Sequence, residues 1–215
     1  MSVIFLCMIF FCNQRAFTDE FKNLLKNGDF EKGSEYPEAW DQPDNLTIFW
    51  EKCPSSDKAS GKCIRMDTDV YMKDWEKRKE ELKINPHAPA RTKTTTSGAK
   101  YDTIAGNNGV SFYSSPIPVD KGTTYTLSAS VRSANPSATP KIFVKGYSLH
   151  KGKMREVYKT YLNCRLNSLE WQRFEQNFHP TLKTPNVTEI RVMIFSYWPP
   201  GDYWFDNIRI EKSSE

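Results

Sequence analysis

The sequence is poor in the patterns by which most enzymes declare themselves. It has three histidines, His87, His150 and His179, and each falls in an expected loop without cysteine or carboxylate neighbours at metal-ligand spacing. No G-x-S-x-G elbow, H-E-x-x-H pair, phosphate-cradling glycine loop or dinucleotide fingerprint occurs, so the common hydrolase, zinc-protease and nucleotide-dependent classes have no support. Gly106 to Gly109 (GNNG) reads as a tight turn, and carboxylate pairs such as Asp67 and Asp69 say nothing about glycoside hydrolysis, which depends on separation in space. The five cysteines form no C-x-x-C, which argues against a zinc site. Charge of a single sign is also missing: the net charge is +4, with Lys and Arg interspersed among Glu and Asp. That pattern offers no phosphate-tracking face, and nucleic acid is not the expected partner. The apolar run from Val3 to Phe11 is too short to span a bilayer as a helix, and there is neither an internal repeat nor a low-complexity tail.

What the sequence has in abundance is aromatic surface: 6 Trp, 10 Tyr and 13 Phe. One core of this size does not normally bury so many rings, so some belong at the surface, where large flat side chains serve recognition. The Val3 to Phe11 run, ending at Asn13-Gln14-Arg15, suits the apolar region of a secretory signal. Residues 1–18 then form a signal segment and 19–215 the domain, with location outside the cell or in the cell envelope. The alternative is a buried N-terminal strand. Cysteine usage agrees with export. Cys7 and Cys12 lie in the signal, while Cys53 and Cys63 bracket a loop that a bridge can close in an oxidising compartment. Cys164 is left over.

Beyond the signal, short segments alternate with period two between turn residues, the pattern of an all-β sandwich or barrel. In Thr124 to Ser133, Tyr125, Leu127, Ala129 and Val131 share one face. Lys141 to Tyr147 sets Ile142 and Val144 against Phe143, Lys145 and Tyr147; Arg191 to Trp198 sets Val192 and Ile194 against Arg191, Met193, Phe195 and Tyr197. Further strands are expected at Cys63 to Met66, Val110 to Tyr113, Tyr158 to Leu162, Gln172 to Phe178 and Tyr203 to Glu211. One segment departs from this: Tyr71 to Lys83 reads as a short charged helix with Trp75, Lys79 and Leu82 at helical spacing. With the polar Asn85 to Lys100 it forms an insertion over about 71–100, and such long excursions are often functional.

Several segments taken in order resemble a known family. They are NLLKNGDFEKG at Asn23 to Gly33, PEAW at Pro37 to Trp40, GTTYTLSASVR at Gly122 to Arg132, WQRF at Trp171 to Phe174 and GDYWFDNIRI at Gly201 to Ile210. Together they resemble the family 4/9 carbohydrate-binding modules over Asn23 to Lys212. The resemblance implies a jelly-roll β-sandwich of galactose-binding-like fold, here with a short helical insertion longer than the family pattern. It places Trp40 and Trp171 in the core. It also implies a structural calcium held by Glu31 of the N-terminal segment and Asp206 of the final strand; calcium takes six to eight hard oxygens, and whether Asp29 assists is not decided by the sequence. The alternative is that both carboxylates cap turns.

Strand alternation locates a site without the family. If Val131, Val144 and Ile194 face the core, the reverse faces carry Arg132, Lys145, Tyr147, Phe195 and Tyr197, a mixture of rings and hydrogen-bonding cations that suits sugars. Trp50, Tyr101 and Trp198 lie near strand ends or in loops as walls of that cleft. Against this stands the possibility that Phe143, Met193 and Phe195 are buried beneath the inserted helix as a second small core. The expected function is non-catalytic binding of a poly- or oligosaccharide, free-standing or beside a catalytic or cell-surface partner protein. The alternative is an extracellular adhesion or scaffolding domain that binds a protein.

Overall fold

The structure is a computed structural model and describes residues 22–54, 61–94 and 100–213. The expected signal segment and two of its cysteines lie outside the described residues. Among the described residues ten strands and one α-helix follow in chain order: β1 (Ile48–Lys52), β2 (Lys62–Asp67), α1 (Met72–Ile84), β3 (Val110–Tyr113), β4 (Ile117–Pro118), β5 (Tyr125–Ser133), β6 (Lys141–His150), β7 (Lys153–Asn163), β8 (Gln172–Phe178), β9 (Glu189–Ser196) and β10 (Asp202–Lys212). One sheet runs β1-β2-β10-β5-β8; the other runs β3-β9-β6-β7, with β4 also paired to β9. Every pairing is antiparallel. The all-β sandwich expected from alternation is what the chain forms.

The alternation produces the core directly, because successive side chains in a strand point to opposite faces. From the five-stranded sheet come Ile64, Met66, Leu127, Ala129, Val131, Phe205, Ile208 and Ile210; from the other come Phe112, Ile142, Val144, Ile190, Val192 and Ile194, all buried. Strand β10 keeps Phe205 and then Ile208 inward, a spacing of three, only because the ladder with β5 slips between Asp206 and Arg209. Asn207 takes a left-handed φ of 50° there. Such a bulge adds one residue to one strand and turns the following side chains over, which also carries Asp206 into a buried position.

The inserted helix forms where the spacing of Trp75 predicted it, and Met72 and Trp75 pack against the core. Its deepest anchor is not apolar. Arg78 is only 1 % exposed and donates from Nε to the Asp44 carbonyl at 2.6 Å, from Nη1 to Pro89 at 2.9 Å and from Nη2 to Ala88 at 3.0 Å. Glu81 lies 3.6 Å away to balance the charge and also pairs with Arg91. A buried guanidinium is tolerable only with its donors so satisfied. These bonds hold α1 against the Asp44 turn and the Ala88–Pro89 segment, rather than over the β6–β9 face as an inner cover. Phe143 and Phe195 are accordingly half-buried, although Met193 is buried.

Strands β1 and β4 are additional to those expected, and β9 begins two residues earlier than its apolar pattern suggested. Tyr197 and Trp198 therefore lie past its end, on the way into the Pro199-Pro200-Gly201 turn. Cys53 and Cys63 are buried with free thiols side by side. The neighbouring Cys53 thiol and burial hold Cys63 protonated. Cys164, also buried, is pushed up to about 12 by desolvation.

Candidate functional site: the outer face of the β3-β9-β6-β7 sheet

Cross-strand register sorts this face into rows. Tyr113 of β3, Met193 of β9, Phe143 of β6 and Tyr161 of β7 lie opposite one another in turn. The next row sets Arg191 opposite Lys145, and Lys145 opposite Lys159. On the other side of the ring row, Phe195 pairs with Ser111 and Lys141. Opposed residues in an antiparallel pair bring their Cβ atoms within roughly 5 Å, so rings meet rings. Phe143 lies 5.4 Å from Tyr161, tilted, and 5.9 Å from Phe195, edge to face, between ring centres, and Phe195 stacks on Tyr197 at 6.3 Å. Beyond the strand, Tyr101 and Trp198 stack at 5.5 Å.

The cations gather around Tyr113. Lys145 Nζ donates to its hydroxyl at 3.2 Å and pairs with Glu156 at 3.2 Å. Arg191 lies 5.5 Å from the same ring, donates to the Ser114 carbonyl at 2.7 Å and reaches Asp41 at 3.4 Å. Desolvation works against the charge on Lys145, but bonds to Tyr113 and Glu156 outweigh it and raise its pKa. Tyr147 is raised by burial against the opposing pull of Lys145, so its hydroxyl stays a donor. At neutral pH the face thus presents fixed donors beside aromatic planes.

Of the residues read from the sequence, Lys145, Tyr147, Phe195 and Tyr197 come together here, with Trp198 and Tyr101 just past the strand end. Two do not join them. Arg132 sits on the outside of the opposite sheet, where β5 pairs it with Trp204 and its guanidinium lies 5.6 Å from that ring. Alternation places a residue outside but cannot say which of two outsides. Trp50 is directed inward on β1 opposite Ile64, packs against the core and donates from Nε1 to the Phe30 carbonyl at 2.7 Å. Conversely, Tyr113 and Tyr161 belong to the face and were absent from the expected site, while Arg191 was placed on the outer face but not among the expected site residues. The signal was available, since Phe112 and Leu162 are buried neighbours that force Tyr113 and Tyr161 outward.

Of the two tryptophans assigned inward, Trp40 is buried, donates to the Asn27 carbonyl and stacks on Phe112. Trp171 is half-buried, its indole N–H enclosed with no partner among the described residues. On the five-stranded sheet, burial pushes the Asp206 carboxyl of β10 up to about 7, and the charges of Glu31 and Asp29 push the same way. Asp206 Oδ1 accepts the Asn207 N–H at 2.6 Å, and Glu31 Oε1 accepts that of Lys62 at 3.0 Å. A Cβ on Gly61 would lie 1.7 Å from Glu31 Oε1, so only glycine lets the carboxylate settle there. This crowding of hard, like-charged oxygens fits a cation such as calcium. Among the described residues, however, no three His, Cys, Asp or Glu side chains converge as a ligand set, so backbone oxygens would have to complete the shell.

Two antiparallel sheets packed face to face, with one short helix, define a β-sandwich of the jelly-roll class. Within it, residues 22–200 match the carbohydrate binding domain family CBM_4_9, and the chain belongs to that family. A search of curated proteins found no match. Solved structures share the fold at low identity. The enzymatically active domain of bacteriophage CBA120 tailspike protein 4 aligns with a TM-score of 0.54 at 9 % identity, over 89 % of this chain and 21 % of its own. An arabinose-bound MgGH51 α-L-arabinofuranosidase gives 0.53 at 14 %, over 91 % and 27 %. The CBM22-1–CBM22-2 tandem domain of Paenibacillus barcinonensis Xyn10C gives 0.51 at 12 %, over 94 % and 52 %. This chain thus spans about a fifth to a half of those solved chains. No helix among the described residues is long and apolar enough to cross a membrane.

Proposed function

We propose that the chain is a non-catalytic module that binds a poly- or oligosaccharide across the outer face of the β3-β9-β6-β7 sheet. The observation that carries this reading is the adjacency of the Tyr113–Met193–Phe143–Tyr161 row to the Arg191–Lys145–Lys159 row. A sugar ring is amphipathic: its C–H faces stack on aromatic planes, and its hydroxyls need fixed donors and acceptors. Rows of each kind side by side meet both needs along one chain of sugars. Phe195, Tyr197 and Tyr147 extend the aromatic part of the face; Glu156 and Asp41 hold the cations in place and supply acceptors. Anchoring of α1 against the Asp44 turn, rather than over this face as a cover, favours a glycan over a protein partner sealed by the helix. Glu31 and Asp206 hold a structural calcium remote from the sugar, and the protein acts outside the cell or in the cell envelope.

Affinity electrophoresis against a panel of soluble neutral and acidic polysaccharides tests this. Retardation by one class, reduced in both Tyr113→Ala and Lys145→Ala, is the expected result. A panel that retards nothing overturns sugar binding and turns the search to a protein ligand.

A further inference from the structure

Tyr101 is 78 % exposed, an expensive position for a ring unless something covers it in use. It is not loosely held. Asn107 Nδ2 donates to the Tyr101 carbonyl at 3.0 Å and to that of Thr103 at 3.0 Å. The Thr103 hydroxyl donates to the Lys100 carbonyl at 2.6 Å. The Ile104 and Ala105 amides donate back to Val70 and Thr68, which ties the turn to the end of β2. Gly106 lies so close beneath that a Cβ there would be 2.7 Å from the Tyr101 backbone. On one side the ring is braced by Trp198, at an interplanar angle of 16°. It also lines a pocket of about 500 Å³ together with Tyr71, Met72, Lys73, Asp102 and Asn107, within the roughly 300–1,000 Å³ range of small-ligand sites. The turn that follows the insertion therefore holds an exposed ring, braced on one side by Trp198, beside a pocket that carries an ammonium, a carboxylate and an amide.

From these features the geometry points to an added subsite, in which one sugar residue of the bound glycan stacks on Tyr101 and is hydrogen-bonded by Lys73 and Asp102. This rests on the reading that the sheet face binds glycan, and deepens it. Continuity comes from the chain itself: Tyr197 stacks on Phe195 of the sheet face, while its neighbour Trp198 braces Tyr101. Adjacent Cα atoms are only about 3.8 Å apart, so the face and the pocket adjoin. The ligand class selected is a glycan long or branched enough to occupy both. A short oligosaccharide fills the sheet face alone.

Calorimetric titration of the full chain with cello-, xylo- and laminari-oligosaccharides, each from trisaccharide to hexasaccharide, tests the subsite. In the series that binds, affinity rises with length in the wild type. Tyr101→Ala shrinks that rise about tenfold, the loss of one stacking contact of about 1.4 kcal/mol. Tyr101→Phe restores it, and Lys73→Ala reduces it from the facing wall. Lys145→Ala, on the sheet face, lowers every length alike. A Tyr101→Ala protein that loses the same factor at all lengths, or at none, overturns the subsite and leaves the sheet-face reading standing. A wild type that binds none of the oligosaccharides and none of the polysaccharides overturns both.

Discussion

On the outside of the five-stranded sheet, Phe49, Arg65, Trp204 and Arg132 face one another across β1, β2, β10 and β5. On the outside of the other sheet, Tyr113, Met193, Phe143 and Tyr161 do the same across β3, β9, β6 and β7. Both faces are made of rings and cations, but in the first the two kinds alternate within one row. Arg65 lies 4.0 Å over Phe49, and its guanidinium is held by Glu51 and Asp202 at 2.8 Å each. Each ring has a cation beside it and Arg65 has its carboxylates, so the row closes on itself as a brace. In the second face the kinds are separated, rings in one row and Arg191, Lys145 and Lys159 in the next. Composition thus does not distinguish the two faces; the order of residues across the strands does.

The sharpest separation of the two faces comes from substituting one ring in each. Trp204→Ala costs about 2 kcal/mol of stability, part of the cost of deleting a fully buried ring, and leaves polysaccharide retardation as in the wild type. Thermal melts and affinity electrophoresis read the two effects independently, and a loss of retardation here would erase the distinction between the faces. Tyr113→Ala gives the converse: about a tenfold weaker complex, or about 1.4 kcal/mol, with less than about 1 kcal/mol lost from the fold because the ring is only half-buried.

Calcium should follow the bracing sheet and not the binding sheet. In calcium-free buffer the Asp206 carboxyl binds its proton more tightly folded than unfolded, its folded value being about 7. The unfolded chain therefore releases that proton first, and stability falls as pH rises from about 4 to about 7, then levels off. Calcium bound there would relieve the repulsion with Glu31 and Asp29, so the melting temperature gained on adding it is expected to grow from pH 5 to pH 8. Melts with and without chelator at the two pH values check this; an equal gain at both would remove Asp206 from the site. The smallest effect belongs to Arg132→Lys, which keeps the charge but loses the guanidinium contact with the Trp204 ring. About 0.5 kcal/mol is expected by chemical denaturation, with unchanged retardation.

Much of this was legible before the fold was known, and the gaps have definite causes. Lys145, Tyr147 and Phe195 could be placed on the outer face because inward Val144 and Ile194 leave their neighbours only one direction. Arg132 was misplaced because period-two alternation is blind to sheet order, a tertiary property. Trp50 was misread because β1, IFWEK, carries no clean alternation; its ring turns inward between Phe49 and Glu51. The anchor of the helix escaped notice since a buried cation looks, in sequence, like every solvated one. Arg78 is explained only by the three carbonyls that converge on it from residues ten to thirty-four positions away.

The slip in β10 has a consequence for which changes the chain can survive. Because Asn207 shifts the phase of everything after it, the strand is forgiving in composition there and unforgiving in length. Asn207→Gly keeps the left-handed turn, whereas removing the residue would straighten the ladder and rotate Ile208 and Ile210 out into water. Leu24, whose amide bonds to the Ile210 carbonyl, would lose its place in the same step. The two ends of the domain are therefore set by one counted residue, and a deletion at that point is a change of wiring where a substitution is a change of part.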